Sequence, residues 1–262
     1  MVEKVLTIAG SDSSGGAGVQ ADLKTFSALR CYGMSVFTAL TAQNTTGVQG
    51  IYPIPSEFLL QQLESIYDDV PPAAVKIGMV GGVENIEALS GFLKKRKAQN
   101  IILDPVMVAS SGDQLISDEA VNALKTKLIP LADLITPNLH EASILLGHDI
   151  QDLTEAARDL LSLGTKSVLL KGGHKPGEIS LDVYASGDDL ELFEAPRLDT
   201  KNTHGTGCTL SAAIAANLAN GHSMVDAIGE AKSYITEAIR HADVLEVGKG
   251  TGPVHHFWQI WK

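Results

Sequence analysis

An α/β fold with a mostly parallel, doubly wound sheet is predicted for this 262-residue chain from three observations. Short apolar, β-branched runs alternate with stretches of helical spacing along the whole chain, the pattern of strands joined by right-handed crossovers. Apolar residues make up 44% of the chain and aromatics only 5%, so the core should be Val, Ile, Leu and Ala, as in parallel sheets covered on both faces. The length suits one α/β unit, and no repeat, linker or low-complexity tract divides it, so residues 1–262 are read as a single domain.

The elements follow in order. Val5 to Ala9 is a β-branched run ending at Gly10, and from Ala17 the spacing of Val19, Leu23 and Phe26 turns helical. Ser35 to Ala42 reads as a second strand, followed by a polar loop from Gln43 to Gly50 and a helix over Ser56 to Tyr67, capped by Ser56. Val75 to Gly78 and Ile101 to Asp104 are the next strands, separated by a helix near Glu84 to Lys97. A strand at Ala132 to Ile135, a helix after Pro137, another near Thr154 to Leu163 and a strand at Ser167 to Leu170 continue the alternation. Leu181 to Ser186 and Leu190 to Phe193, joined by Gly187-Asp188-Asp189, break the rhythm as a short antiparallel hairpin. Helices over Thr206 to Ala219 and Met224 to His241 precede a glycine-rich tail.

A net charge of -11 argues against a nucleic-acid surface. Cys31 and Cys208 match no metal spacing or redox pair, and no run approaches the roughly 18 apolar residues that span a membrane. A cytoplasmic protein with no membrane partner is expected.

In open α/β sheets ligands bind at the carboxyl ends of the strands, and here the residues just beyond them are polar or glycine. Asn202 to Ala213 carries the strongest signal, because Gly205-Thr206-Gly207-Cys208 leads straight into an apolar helix. The first N–H groups of a helix lack internal partners and carry the positive end of its dipole, so this junction can hold an anion. Cys208, at that end, should have a thiol pKa below the free value of about 8.5. His204, one residue ahead of the turn, is a rival base, although holding the loop by hydrogen bonds is its favoured role.

Gly10 to Gly18 is a second glycine-rich loop. Gly16 to Ala21 satisfies a dinucleotide fingerprint in form, but no acidic residue follows at about 20 positions to hold a ribose. Gly10 to Gly15 has the glycine spacing of a P-loop, but Gly16 stands where lysine is required. What remains is a nucleotide site built from several loops, needing carboxylates for magnesium and a cation for phosphates. Asp104, Glu141 and Lys171 are the candidates. Each has a plainer reading: a turn aspartate, the capping partner of Asn138, and a solvated lysine beside Gly172-Gly173. The loops at 10–18 and 173–177 are the expected hinges.

Five segments together resemble the hydroxymethylpyrimidine/phosphomethylpyrimidine kinases of thiamine biosynthesis. They are Ala9-Gly10-Ser11-Asp12-Ser13-Ser14-Gly15-Gly16-Ala17-Gly18-Val19-Gln20-Ala21-Asp22, Asp104-Pro105-Val106-Met107, Thr136-Pro137-Asn138-Leu139-His140-Glu141, Lys171-Gly172-Gly173-His174 and Asn202-Thr203-His204-Gly205-Thr206-Gly207-Cys208-Thr209. The resemblance runs in order over almost the whole chain and implies a ribokinase-like, three-layer α/β/α sandwich. It implies phosphorylation of the 5-hydroxymethyl group of 4-amino-5-hydroxymethyl-2-methylpyrimidine and then of its monophosphate, each step using ATP and Mg2+, by a homodimer. Carried over by position, Gln43 reads the pyrimidine edge, while Gly10, Asp22, Met79 and Val106 shape its pocket. Lys171, Asn138 and Thr206 hold ATP, Asp104 and Glu141 the metal, and Gly205, Thr206, Gly207 and Cys208 the transferring phosphoryl group. The wider superfamily places aspartate where this chain has Cys208, which leaves the base open between the thiol and no dedicated base. The alternatives are a pyridoxal or pyridoxine kinase and a non-catalytic pyrimidine-sensing protein.

Overall fold

A computed structural model describes residues 2–107, 116–173 and 177–261. Its first strand, β1 (Lys4–Ala9), lies inside a sheet that also contains β2 (Tyr32–Phe37), β5 (Ala74–Ile77), β6 (Ile101–Leu103), β7 (Leu134–Ile135) and β8 (Val168–Lys171). These six are mutually parallel, and β9 (Ile179–Ser186) and β10 (Asp189–Pro196) extend the sheet antiparallel, giving the order β10-β9-β8-β7-β6-β5-β1-β2. The expected doubly wound sheet with a hairpin is therefore present. The hairpin is longer than expected, and Gly187 makes its turn at φ 56°.

Period-two burial along the strands divides the interior into two layers. Leu6, Ile8, Val75, Ile77, Ile101 and Leu103 point to one face, which is covered by α2 (Ser56–Asp69), α3 (Val83–Arg96), α4 (Asp118–Ala123), α5 (Leu139–Leu146) and α6 (Leu153–Leu161). Val5, Ala74, Ile102, Leu134 and Leu169 point to the other, under α1 (Gly18–Ala28), α7 (Thr206–Ala219) and α8 (Met224–Arg240). Side chains alternate across a strand, so one apolar run serves both layers. Helix α7 is buried nearly all round, as its Ala212 to Ala216 run requires, and its N-terminus is held at the carboxyl end of the sheet.

Three local expectations are corrected. The strand expected over Ser35 to Ala42 is two strands in different sheets. Thr38 ends β2 by donating its N–H to Ala9 O (3.0 Å) and its hydroxyl to Met79 O (2.6 Å), and the chain departs as β3 (Ala39–Asn44). The polar stretch after it is β4 (Gly47–Pro53), paired antiparallel with β3 in a separate two-stranded sheet. Alternation with few apolar residues hid this hairpin, which stands off the main sheet and has no core beneath it. Ser56 is the first residue of α2 and not its cap, because Pro55 occupies the cap position and offers no side-chain acceptor. A further finding is α4, capped by the Ser117 hydroxyl and running on through a π turn, Leu124–Leu128, into Ile129–Leu131. His174 and residues 174–176 of the expected hinge lie outside the described residues.

Candidate active site

The chain runs from β1 to its neighbour β2, then crosses back to β5 on the other side of β1. Such a switch leaves a crevice at the carboxyl ends of the strands. A cavity of about 870 Å³ lies there. Gly10, Gln43, Met79, Val106, Asp104, Asn138, Glu141, Lys171, Gly205, Thr206, Gly207 and Cys208 all line it, so residues far apart in sequence share one space.

Most amides of the glycine loop after β1 are engaged within the protein. Asp12 fills the loop: its carboxylate accepts from the N–H groups of Ser14 (2.9 Å), Gly16 (3.0 Å) and Ala17 (2.8 Å) and from the Ser14 hydroxyl (2.7 Å). His204 Nε2 lies 2.7 Å from Asp12 Oδ2, tying the loop to the turn that precedes α7. Burial alone would raise the Asp12 pKa, but the bonds from His204 and Ser14 hold it well below the carboxylate range. His204 is thus engaged in joining two loops, its expected structural role.

Gly205 lies on the other side of that joint at φ 80°, and a β-carbon there would collide with the Gly16 carbonyl oxygen. This backbone crossing turns the α7 N-terminus into the cavity. A β-carbon on Gly207 would lie 3.3 Å from Lys171 Nζ and 3.5 Å from Asp104 Oδ2, so the helix end, a cation and a carboxylate meet at one point.

Lys171 ends β8 and donates to Asp104 Oδ1 at 2.8 Å, while Thr136 Oγ1 donates to the same oxygen at 3.0 Å. Burial opposes both charges, but the two lysines facing Asp104, Lys171 and Lys76, hold its carboxyl below its ordinary pKa. Asp104 and Glu141 in turn keep Lys171 protonated. Glu141 completes a capping box with Asn138: Asn138 N donates to Oε2 (2.8 Å) and Glu141 N to the Asn138 side chain (2.9 Å). Its capping reading is therefore true, and it lines the cavity as well. Burial, with the Asp104 charge adding to it, pushes Glu141 up to about 7. Among the described residues no group of three or more His, Cys, Asp and Glu side chains converges on one metal position.

Gln43 is carried into the cavity by β3, which is laced to the glycine loop. Thr41 N donates to Ser11 Oγ (2.9 Å) and Gln43 N to Ser13 Oγ (2.9 Å), and a bulge between Ala42 and Gln43 bends the strand there. The Gln43 amide oxygen accepts from Thr41 Oγ1 at 3.2 Å. Two expectations fail. Asp22 does not reach the cavity wall; it is 0% exposed and forms an ion pair with Lys76 at 2.8 Å beneath the floor. The Cys208 thiol is not acidified by the helix end: burial pushes it up to about 11, against the Lys76 charge and the Gly18 N–H.

Sequence reasoning missed Lys76, which lines the floor, and the far end of the cavity, where Lys232 Nζ lies 2.6 Å from Asp182 and 3.1 Å from Ser180 Oγ. A lysine inside the apolar run Ala73 to Ile77 was the available signal for the first. The second had none, since β9 and α8 come together only in the fold.

A family model for phosphomethylpyrimidine kinase matches residues 12–255. The hydroxymethylpyrimidine/phosphomethylpyrimidine kinase of Escherichia coli is 51% identical over 260 residues, 98% of each chain. The thiamine biosynthesis bifunctional protein ThiED of Geobacter sulfurreducens is 51% identical over 96% of this chain and 52% of its own length. Among solved structures, the ADP complex of Bacillus subtilis pyridoxal kinase superposes with a TM-score of 0.90 at 40% identity, covering 98% of each chain. With the α7 N-terminus, Lys171, Asp104 and Glu141 gathered in a single cavity, and with this likeness along its whole length, the chain belongs to the phosphomethylpyrimidine kinase family of phosphotransferases.

Proposed function

We propose that the chain transfers the γ-phosphoryl group of ATP to the 5-hydroxymethyl group of 4-amino-5-hydroxymethyl-2-methylpyrimidine, and then a second group to the resulting monophosphate. The observation that carries this reading is the meeting of the Gly205–Cys208 helix end with Lys171 and Asp104, in one cavity with Gln43. Phosphoryl transfer needs positioning and charge stabilisation more than covalent help from the protein. Backbone amides of residues 205–208 take the charge that develops on the transferring group, where one well-aimed donor contributes about 3 kcal/mol. Lys171 neutralises the phosphates, and Thr206 and Asn138 hold the nucleotide beside it. The Gln43 amide has both a donor and an acceptor, which matches an aminopyrimidine edge, while Met79, Val106 and Gly10 enclose the ring. Burial keeps the Cys208 thiol protonated near neutral pH, so the amides of residues 205–208, rather than a dedicated base, carry the step.

The carboxylates of Asp104 and Glu141 fit a magnesium ion that draws its other ligands from phosphate and water. Glu141 supports that assignment, being a buried carboxyl driven toward neutrality beside Asp104, an arrangement a dication would relieve. When bound, the ion supplies charge neutralisation to the phosphates. We also infer a cytoplasmic homodimer. Leu40 and Tyr52 face each other across β3–β4 and are 46% and 66% exposed, offering an apolar face to a second copy.

Pyridoxal is the second reading, favoured by the closeness of the Bacillus subtilis fold. Labelled ATP offered with the pyrimidine alcohol, its monophosphate and pyridoxal decides between them by their kcat/KM ratios. Transfer to both pyrimidines is expected; transfer to pyridoxal alone would replace this reading.

A further inference from the structure

The β3–β4 hairpin brings Gln43 to the cavity from outside the main sheet, so its position depends on what it is tied to. Its base hangs from Thr38, and its middle is laced to Ser11 and Ser13. Its tip is held by the glycine-rich tail of the chain. Thr251 N donates to the Thr45 carbonyl at 3.0 Å, and Gly250 N donates to Thr45 Oγ1 at 3.1 Å. Shape reinforces both bonds. A β-carbon on Gly248, which has φ 77°, would collide with the Thr45 side chain, and one on Gly250 with the Thr45 carbonyl oxygen. Only glycine permits so close an approach at these two places.

The same tail runs on to the turn that aims α7. His204 N donates to Gly252 O at 3.0 Å, and His204 and Pro253 form a parallel bridge. Beyond that point the chain is fixed to the body of the protein. Val254 is fully buried, His255 N donates to Ala238 O at 2.9 Å, and His256 Nε2 lies 3.0 Å from Thr209 Oγ1 on α7. Residues 248–253 therefore bridge the hairpin tip and the Gly205 turn, and Thr251 and Thr203 line the cavity between them.

We propose that Thr45 and residues 248–253 form a strap that sets the register between the acceptor hairpin and the α7 N-terminus and keeps water out of the wall between them. Thr45 is its positioning residue, because both tail bonds to the hairpin fall on it. This rests on the reading that Gln43 holds the acceptor and the amides of residues 205–208 the transferring group. Transfer requires the attacking oxygen within about 3–3.5 Å of phosphorus, and a misplacement of about 1 Å can cost a hundredfold in rate. Water admitted beside a misplaced acceptor takes its part. The water oxygen bonds to the γ-phosphorus while the bond from that phosphorus to the bridging oxygen breaks; ADP and inorganic phosphate leave, and the proton passes to solvent.

Gly250→Ala drives a β-carbon into the hairpin backbone at Thr45, whereas Lys249→Ala, on the same segment, leaves both tail bonds in place. In Gly250→Ala, kcat with the pyrimidine alcohol should fall about tenfold, and the ADP formed per phosphorylated product should rise from one to about two. Nucleotide affinity by calorimetry should stay parental. Thr45→Val, which loses one hydrogen bond, should move kcat and the ratio in the same direction by a smaller amount, and Thr45→Ser should restore both. Lys249→Ala should match the parent. A smaller folded fraction lowers kcat but leaves the ratio of ADP to product unchanged, so the ratio separates lost register from lost stability. Amide exchange over residues 43–48 reads the hairpin without turnover and should quicken in Gly250→Ala. A parental ratio in that variant, or parental exchange, overturns the strap alone. A parent that phosphorylates neither pyrimidine nor pyridoxal overturns the reading beneath it.

Discussion

Two residues in the cavity show how function and stability pull against each other. Gly205 combines φ 80° with a β-carbon position blocked by the Gly16 carbonyl, so Gly205→Ala must either strain its backbone or part the two loops. A loss of about 1–3 kcal/mol is expected by thermal unfolding, with a larger loss in turnover because the amides lose their aim. Parental turnover would mean that this crossing does not orient them. Glu141 has the opposite balance. Its ordinary pKa of 4.5 is raised to about 7 in the fold, so the folded state holds its proton more tightly than the unfolded one. Stability is therefore unaffected by this group below pH 4.5, falls as pH rises toward 7, and stays reduced above it, by up to about 3 kcal/mol. Glu141→Gln should stabilise the ligand-free protein above pH 7 in urea titrations while lowering the response of activity to magnesium. A variant no more stable at pH 8 than at pH 4.5, relative to the parent, would contradict the raised value.

At the level of elements, the β3–β4 hairpin is the piece that composition concealed. It hangs from Thr38, whose hydroxyl reaches Met79 O and whose carbonyl receives Ile54 N at 2.9 Å, so one buried residue holds both ends of the hairpin. Thr38→Val keeps the shape and removes the hydroxyl. The KM for the acceptor should rise about fivefold, matching the ~1 kcal/mol of one lost hydrogen bond, because Gln43 and Met79 both shift. Nucleotide affinity, measured by calorimetry, should not change, since Lys171 and α7 are anchored elsewhere. Equal weakening of both ligands would show that the hairpin is not a separate acceptor element. The β-hairpin at β9–β10 was legible because Gly187-Asp188 marks its turn and apolar residues alternate along its strands. At β3–β4 the turn is Thr45-Thr46, and no face of the strands is packed on a core.

For the molecule as a whole, two apolar layers on one mostly parallel sheet concentrate polar chemistry at the carboxyl edge. If Leu40 and Tyr52 meet a second copy, the parent should sediment as a dimer and Tyr52→Asp as a monomer. A parent that sediments as a monomer at assay concentrations would refute this. No described helix is long and apolar enough to cross a membrane. The far end of the cavity, at Lys232, Asp182 and Arg197, unites β9, β10 and α8 across about fifty residues, a scale at which no sequence window could have joined them.

By itself the sequence determined the strand–helix alternation, the position of nearly every parallel strand and the glycine turn before α7, because periodicity, β-branching and glycine spacing are local properties. It also supplied Asp104, Glu141 and Lys171 as neighbours of strand ends. Only the tertiary structure decided which charges meet. It sank Asp22 beneath the floor onto Lys76, filled the first glycine loop with its own Asp12, and left Cys208 half-buried where desolvation raises its thiol to about 11. Desolvation and charge pairing depend on distance through space, which a linear reading does not contain.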